Sequence, residues 1–212
     1  MRLSDEQREA LDAMIAGRNV FLTGEAGTGK STVLREFREQ CDRPCVVLAP
    51  TGVAAINAGG ATIHSFFQFK PGLLSDDAVE EISSPKKRAV VRAAQIVVID
   101  EISMVRSDLF AAVDARLREL AVGAKARRPF GGKQIILVGD FFQLPPVVKT
   151  ETEAEWLERT FGGVYAFRTA LWKRAGFRCV FLKTVHRQMG DARFLAVLNA
   201  IRHGDLEGRA VP

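Results

Sequence analysis

Residues 24–31 read Gly24-Glu25-Ala26-Gly27-Thr28-Gly29-Lys30-Ser31, a glycine-rich run of the form G-x-x-x-x-G-K-[ST] set between an apolar stretch at 19–23 and a helical periodicity at 31–40. A strand that passes through a tight turn straight into a helix opens a crossover unit, and the next parallel strand must be reached by a right-handed connection. The rest of the chain supplies those strands. Short apolar runs at 46–49, 96–99, 135–138 and 180–182 lack the alternation of a half-exposed strand, which predicts burial on both faces. A helix is predicted over 108–120, where Leu109, Phe110, Val113, Leu117 and Leu120 share a face; another opens at Ser4, with Gln7 three residues on, and stops at Gly17. Strands alternating with helices give an α/β fold of three layers around a mainly parallel central sheet, with ligands gathered at the carboxyl ends of the strands. At 212 residues the chain can bury one full core without disulfides or a structural metal, so a single domain is expected.

In that position the glycine-rich run has a chemical meaning. Glycines let successive backbone N–H groups turn inward around phosphate oxygens, and the following helix N-terminus adds its positive end. Lys30 then reaches the outer phosphates and the Ser31 hydroxyl can ligate Mg²⁺, with Thr32 next in the same first turn. Residues 24–32 are therefore the expected seat of ATP with Mg²⁺. The run Ile96–Ile99 leads into Asp100 and Glu101. Two acids at a strand end also make a solvated turn or a helix N-cap. Beside a phosphate loop, Asp100 is expected to accept the Mg²⁺ shell and Glu101 to act as general base on the attacking water, which points to a hydrolase rather than a kinase. The run at 135–138 leads into Gly139-Asp140-Phe141-Phe142-Gln143-Leu144-Pro145-Pro146. Gln143, just past a third strand end, suits a γ-phosphate sensor; the plainer alternative is that Asp140 and two prolines stop a strand.

A formal charge of +5 points to a polyanionic partner mainly where it clusters, at Lys86, Lys87, Arg88 and Arg92 and at Lys125, Arg127, Arg128 and Lys133; a solvated surface is the alternative. The stretch 66–92 has little strand character, contains Pro71, Gly72, Ser83, Ser84 and Pro85, and reads as a small inserted element on the functional edge of the sheet. No apolar run is long enough to cross a bilayer, and no membrane partner is expected. The first ten residues have neither the apolar core of a secretory signal nor the acid-poor composition of a transit peptide, so a cytoplasmic location is expected, with nucleus or mitochondrion left open. Three cysteines cannot all pair, and Cys45 and Cys179, inside apolar stretches, are expected as packed, reduced thiols.

Asp100-Glu101-Ile102-Ser103-Met104, the segment Pro129-Phe130-Gly131-Gly132 and the run from Gly139 to Val147 closely resemble the Pif1 group of superfamily 1B DNA helicases, and the likeness covers essentially the whole chain. The resemblance implies that residues 1–212 are a first RecA-like core domain of the P-loop NTPase fold, with 66–92 as a wedge-like insertion. It implies ATP hydrolysis coupled to 5′→3′ translocation, with single-stranded and forked DNA as partners. Gln7 matches the family's adenine-recognising glutamine, although Ser4-x-x-Gln7 is also a capping box drawing on the same amide. Within 49–55 and 62–66 the resemblance assigns DNA contacts to Thr51, Gly52 and His64; without it, His64 reads as a core or cap histidine. Phe66, Phe67 and Phe69 are expected to pack. Arg187, in 182–188, is implied to touch the γ-phosphate, where an isolated arginine is ordinarily a surface residue. A second RecA-like core, on a longer chain or a partner chain, is also implied, and without it unwinding is not expected.

Overall fold

A computed structural model of the chain describes residues 3–75 and 82–184. Helix α1 (Asp5–Ile15) starts where predicted, with Ser4 as N-cap, a complete capping box with Gln7, and Asp5 and Glu6 in the first turn against the helix dipole. Then follow β1 (Val20–Gly24), α2 (Lys30–Gln40), β2 (Cys45–Ala49), α3 (Gly52–Asn57), β3 (Ala61–Thr62) and α4 (Ile63–Phe67). The second half contains α5 (Pro85–Ala93), β4 (Ile96–Ile99), α6 (Ser107–Glu119), β5 (Gln134–Val138), α7 (Glu151–Phe161), α8 (Ala170–Ala175) and β6 (Arg178–Leu182).

The six strands form one sheet in the order β3-β2-β4-β5-β1-β6, every neighbouring pair parallel. Registers such as Cys45↔Ile96, Ile96↔Gln134 and Val20↔Ile136 bring all the strands in at one end and out at the other. Side-chain alternation divides the core in two. Val97, Ile99, Ile135 and Leu137 pack with Phe67, Phe110 and Phe130 on one face, whereas Val98, Ile136, Val138 and Leu22 pack with Met14, Val33 and Phe37 on the other. This is the three-layer α/β architecture of the P-loop NTPases.

Central strands β4 and β5 are buried at every position, as their apolar runs require. The expectation of two-sided burial fails for the 180–182 run. β6 ends the sheet and alternates, with Cys179 exposed and Phe181 at 42% exposure, because nothing among the described residues covers its outer face. Cys179 is therefore not a packed thiol, while burial pushes the half-buried Cys45 thiol up to about 11, reinforced by neighbouring Cys41. The cysteines are unpaired. In the 66–92 stretch, Phe66, Phe67, Phe69, Leu74 and Ile82 join the same cluster as the β4 and α6 side chains, as the phenylalanine reading required. Its basic end is helical: α5 has Ser84 as N-cap and Pro85 in its first turn.

Candidate nucleotide-binding and catalytic site

β1 delivers Gly24 to the loop and α2 leaves from Gly29, whose φ of 87° places it in the left-handed region that favours glycine. A Cβ on Gly24 would lie 2.5 Å from the Leu182 carbonyl oxygen and 2.9 Å from Thr28 Oγ1, so no side chain fits there. The first turn of α2 carries no acidic residue and no side-chain cap, leaving its leading N–H groups to a phosphate. Lys30 Nζ donates to the carbonyls of Gly24 at 2.7 Å and Glu25 at 3.0 Å, which holds the ammonium across the loop. Thr28, fully buried, donates from Oγ1 to Glu25 O at 2.8 Å and braces the loop from inside. Its carbonyl accepts from Gln7 Nε2 at 3.1 Å.

Asp100 leaves β4 with its N–H on Leu48 O at 2.8 Å and accepts the Glu101 N–H on Oδ1 at 2.9 Å. Glu101 has φ 52° and ψ 45°, left-handed for a residue with a Cβ, just before the 3-10 turn Ile102–Met104. Such a conformation costs on the order of 1 kcal/mol and marks a position held by its surroundings. Burial raises both carboxyls above their ordinary range. For Asp100 the Glu101 N–H and Lys30 partly offset this; for Glu101 the Asp100 charge adds to it, Lys30 offsets it, and Asp140 adds further. Past β5, Asp140 is 1% exposed and accepts from Phe142 N at 3.1 Å and Gln143 Nε2 at 3.2 Å, while its carbonyl accepts from Gln143 N at 2.9 Å. Gln143 itself is exposed, aimed by a buried aspartate.

Ser31, Asp100, Glu101 and Gln143 line one open cavity of about 770 Å³ between α2 and α3, whose wall also includes Thr51, Arg35 and Arg38. Among the described residues no group of three His, Cys, Asp or Glu side chains can hold a metal by itself. One hydroxyl, of Ser31, and one carboxylate, of Asp100, on the same cavity fit Mg²⁺ that takes its remaining ligands from phosphate oxygens and water. Along the adjoining edge, Thr51 caps α3 through Oγ1, which accepts from Ala54 N at 3.2 Å; Gly52 is exposed, and a Cβ there would meet nothing within 4 Å. His64, half-buried in α4, is held below its usual pKa by burial and by Arg106, with Asp108 opposing.

The PIF1-like helicase profile matches residues 2–210. This chain belongs to the PIF1-like helicase family. It is 40% identical over 215 residues to the ATP-dependent DNA helicase PIF1 of Candida albicans and 39% identical over 217 residues to Pif1 of Bdellovibrio bacteriovorus, covering 96% and 99% of this chain. It spans 23% and 45% of those relatives' lengths. Among solved structures, Bacteroides Pif1 bound to single-stranded DNA superposes with a TM-score of 0.89 at 39% identity, over 99% of this chain and 48% of that one. A structure of two coordinating Pif1 helicases at forked duplex DNA gives 0.87 at 40% identity, over 95% of this chain and 48% of that one.

The PIF1-like signature divides between chemistry and scaffold. The segment Pro129–Gly132 lies outside the cavity: Phe130 donates its N–H to buried Asp114 and packs edge-on against Phe110 at 5.4 Å between centroids. Gln7 lies 4% exposed behind the phosphate loop. Its Oε1 accepts from Ser4 N at 3.0 Å and its Nε2 donates to Thr28 O, so the amide serves the capping box and braces the loop at once. Gly52 and His64 line the neighbouring edge, not the cavity. Arg187 lies outside the described residues. Two residues escaped the sequence reading as site elements. Asp140 carries its signal in the spacing Asp140-x-x-Gln143, and Asp108, which anchors Arg106 beside His64, looks like an ordinary first-turn acid.

Proposed function

We propose that this chain is the ATP-binding and hydrolysing first core of an ATP-dependent 5′→3′ DNA helicase, and that it unwinds only together with a second RecA-like core. The observation that carries the reading is the convergence of Ser31, Asp100, Glu101 and Gln143 on one cavity that shares a wall with Thr51. The lengths of the relatives, about twice this chain for Bdellovibrio Pif1, accommodate the second core. The solved relatives hold single-stranded DNA, forked duplex DNA and ADP-AlF₃. Direction of travel is carried over from the Pif1 group.

In this reading Lys30 exchanges its two carbonyl partners for β- and γ-phosphate oxygens. Ser31 and Asp100 would hold Mg²⁺, which neutralises phosphate charge when bound. Glu101 takes a proton from the attacking water as its oxygen bonds to the γ-phosphorus; the bond to the β–γ bridging oxygen breaks, and its electron pair stays on ADP. Gln143, held by Asp140, senses the outgoing phosphate, and Arg187 stabilises the charge that develops on it. Gln7 reads adenine through capacity its amide keeps beyond Ser4 and Thr28. Thr51, Gly52 and His64 grip the DNA backbone and bases, and the 66–92 element, with Lys86, Lys87 and Arg88, splits the fork.

Steady-state phosphate release by the complete polypeptide, with and without single-stranded DNA, tests this. Strong stimulation is expected, with Lys30→Ala weakening ATP binding by roughly tenfold or more, since a hydrogen bond to a charged group contributes about 1.5–3 kcal/mol. A rate indifferent to DNA would instead make the chain part of a DNA-independent ATPase, and binding without phosphate release would make it a nucleotide-dependent module.

A further inference from the structure

Because the sheet is wholly parallel, whatever precedes each strand collects at one end, opposite the nucleotide loop. In this chain five of the six strand lead-ins carry a basic residue, with Asp42 the one carboxylate among them. Arg18, Arg43, Arg92, Lys133 and Arg174 lie within four residues ahead of β1, β2, β4, β5 and β6. Those strands are consecutive neighbours in the sheet, so their lead-ins span about 19 Å at the usual strand spacing of about 4.8 Å. Arg92, from the first basic cluster of the sequence, meets Lys125, Arg128 and Lys133 of the second here. Arg43, Arg92, Lys125 and Lys133 line a cleft of about 430 Å³; Arg128, Lys133 and Arg174 line a second of about 280 Å³; and the two share Gly17, Gly132, Lys133 and Gln134.

No carboxylate lines either cleft, and among the described residues none of these cations is in an ion pair. Lys133 spends its ammonium on the carbonyls of Arg92 and Ala94, tying the end of α5 to the start of β5. Burial and then the Lys125 charge hold it below the ordinary lysine range. An unneutralised cationic track of this width suits a run of phosphates, whose binding releases condensed counterions.

We infer that this floor of the sheet is a second nucleic-acid site, which takes the phosphate backbone of a duplex and is separate from the strand proposed at Thr51, Gly52 and His64. It needs neither ATP nor the cavity at the other end of the sheet.

The triple variant Arg43→Gln, Arg92→Gln, Lys125→Gln tests it, leaving Lys133 to hold α5. Binding of a labelled blunt duplex by this chain is followed by anisotropy over a series of KCl concentrations. The variant is expected to bind at least tenfold more weakly at low salt, and to lose about 2.7 from the slope of log affinity against log salt, three contacts at about 0.9 each. ATP affinity and Tm should be unchanged. A control neutralised at Arg8, Lys149 and Arg159, three exposed cations away from the floor, should keep the wild-type slope. Equal slopes in wild type and the floor variant overturn the inference, as does an equal loss in the control. Binding to anionic phospholipid vesicles but not to duplex would overturn it in favour of a membrane surface. A Thr51→Val, His64→Ala variant is the independent arm: loss of single-strand binding there, with duplex binding intact, separates the two sites.

Discussion

At the residue scale the site stores unfavourable electrostatics. Glu101 is partly buried beside Asp100 and Asp140, and its carboxyl is raised by that burial and by those charges. A raised carboxyl is neutral to higher pH in the folded state than in the unfolded one, so its ionisation weakens the fold. The penalty is absent below the ordinary glutamate range, grows as pH rises through the raised value, and persists at neutrality. Glu101→Gln should therefore raise the Tm of the ligand-free chain at pH 7, with the gap closing on acidification, while lowering phosphate release about 10²–10⁴-fold. Thermal melts across pH and a phosphate assay check both halves; a Tm below wild type at pH 7 would sink the electrostatic account. For the same reason the acid limb of kcat/KM should lie above the usual carboxylate range. His64 offers a second titration. Burial is the main cause of its lowered pKa, Arg106 lowers it further, and Asp108 works against both. Arg106→Ala should move the His64 imidazole resonance to a higher midpoint, and an NMR titration with no upward shift would show that the guanidinium does not bear on it.

At the element scale, a pair with a fully buried aspartate joins the start of α6 to the stretch at Gly72 and Leu74. Arg106 donates from Nε and from a terminal nitrogen to Asp108, at 2.9 and 2.7 Å, and the same terminal nitrogen reaches Gly72 O. Asp108, fully buried, also accepts the Leu74 N–H at 2.9 Å. Stripping Arg106 leaves that carboxylate uncompensated, at a cost of about 3 kcal/mol, whereas Arg106→Ala with Asp108→Ala should cost less than the sum of the two single variants. Urea unfolding of the four proteins measures this, and additive costs would mean that the pair does not act as a unit. Nothing in the sequence marked it, because an arginine and an aspartate two residues apart at a helix start look like solvated charge, and burial depends on Gly72 and Leu74 arriving from elsewhere. The β4 and β5 runs were legible because continuous apolar residues leave a strand no exposed face. β6 had the same appearance, but position in the sheet, which composition does not encode, left it at the edge. β3, two residues long, is too short to carry a period at all. Among site residues, the phosphate loop and the two acids were legible from spacing against strand ends. The double use of the Gln7 amide was half visible: the capping box is local, whereas the bond to Thr28 spans 21 residues.

At the scale of the molecule the parallel sheet sorts chemistry by end. The carboxyl ends gather the acids, the phosphate loop and the edge at Thr51, Gly52 and His64 proposed to grip DNA; the amino ends gather the lead-in cations. At the carboxyl ends, several large apolar side chains stand exposed around the proposed nucleotide cavity. Val53 and Ile56 on α3 are 73% and 79% exposed, and Leu144, across the cavity, is 67% exposed, with Phe142 and Val147 beside it at 70% and 66%. Large apolar side chains left exposed on both sides of a cavity lined by charged groups suit a surface that another body covers. Here that body is the proposed second core, closing over ATP. Charged substitutions at such positions have little to disturb in this chain alone, so Ile56→Asp with Leu144→Asp should shift its unfolding free energy by no more than about 0.5 kcal/mol per site. In the complete polypeptide the same pair should oppose closure, lowering DNA-stimulated turnover and the ATP-analogue-induced hydrogen-exchange protection of α3. Closure that buries another surface predicts the opposite pattern, with turnover and protection both intact. A large loss of stability in the isolated chain would instead make these side chains part of its own core, which their exposure contradicts.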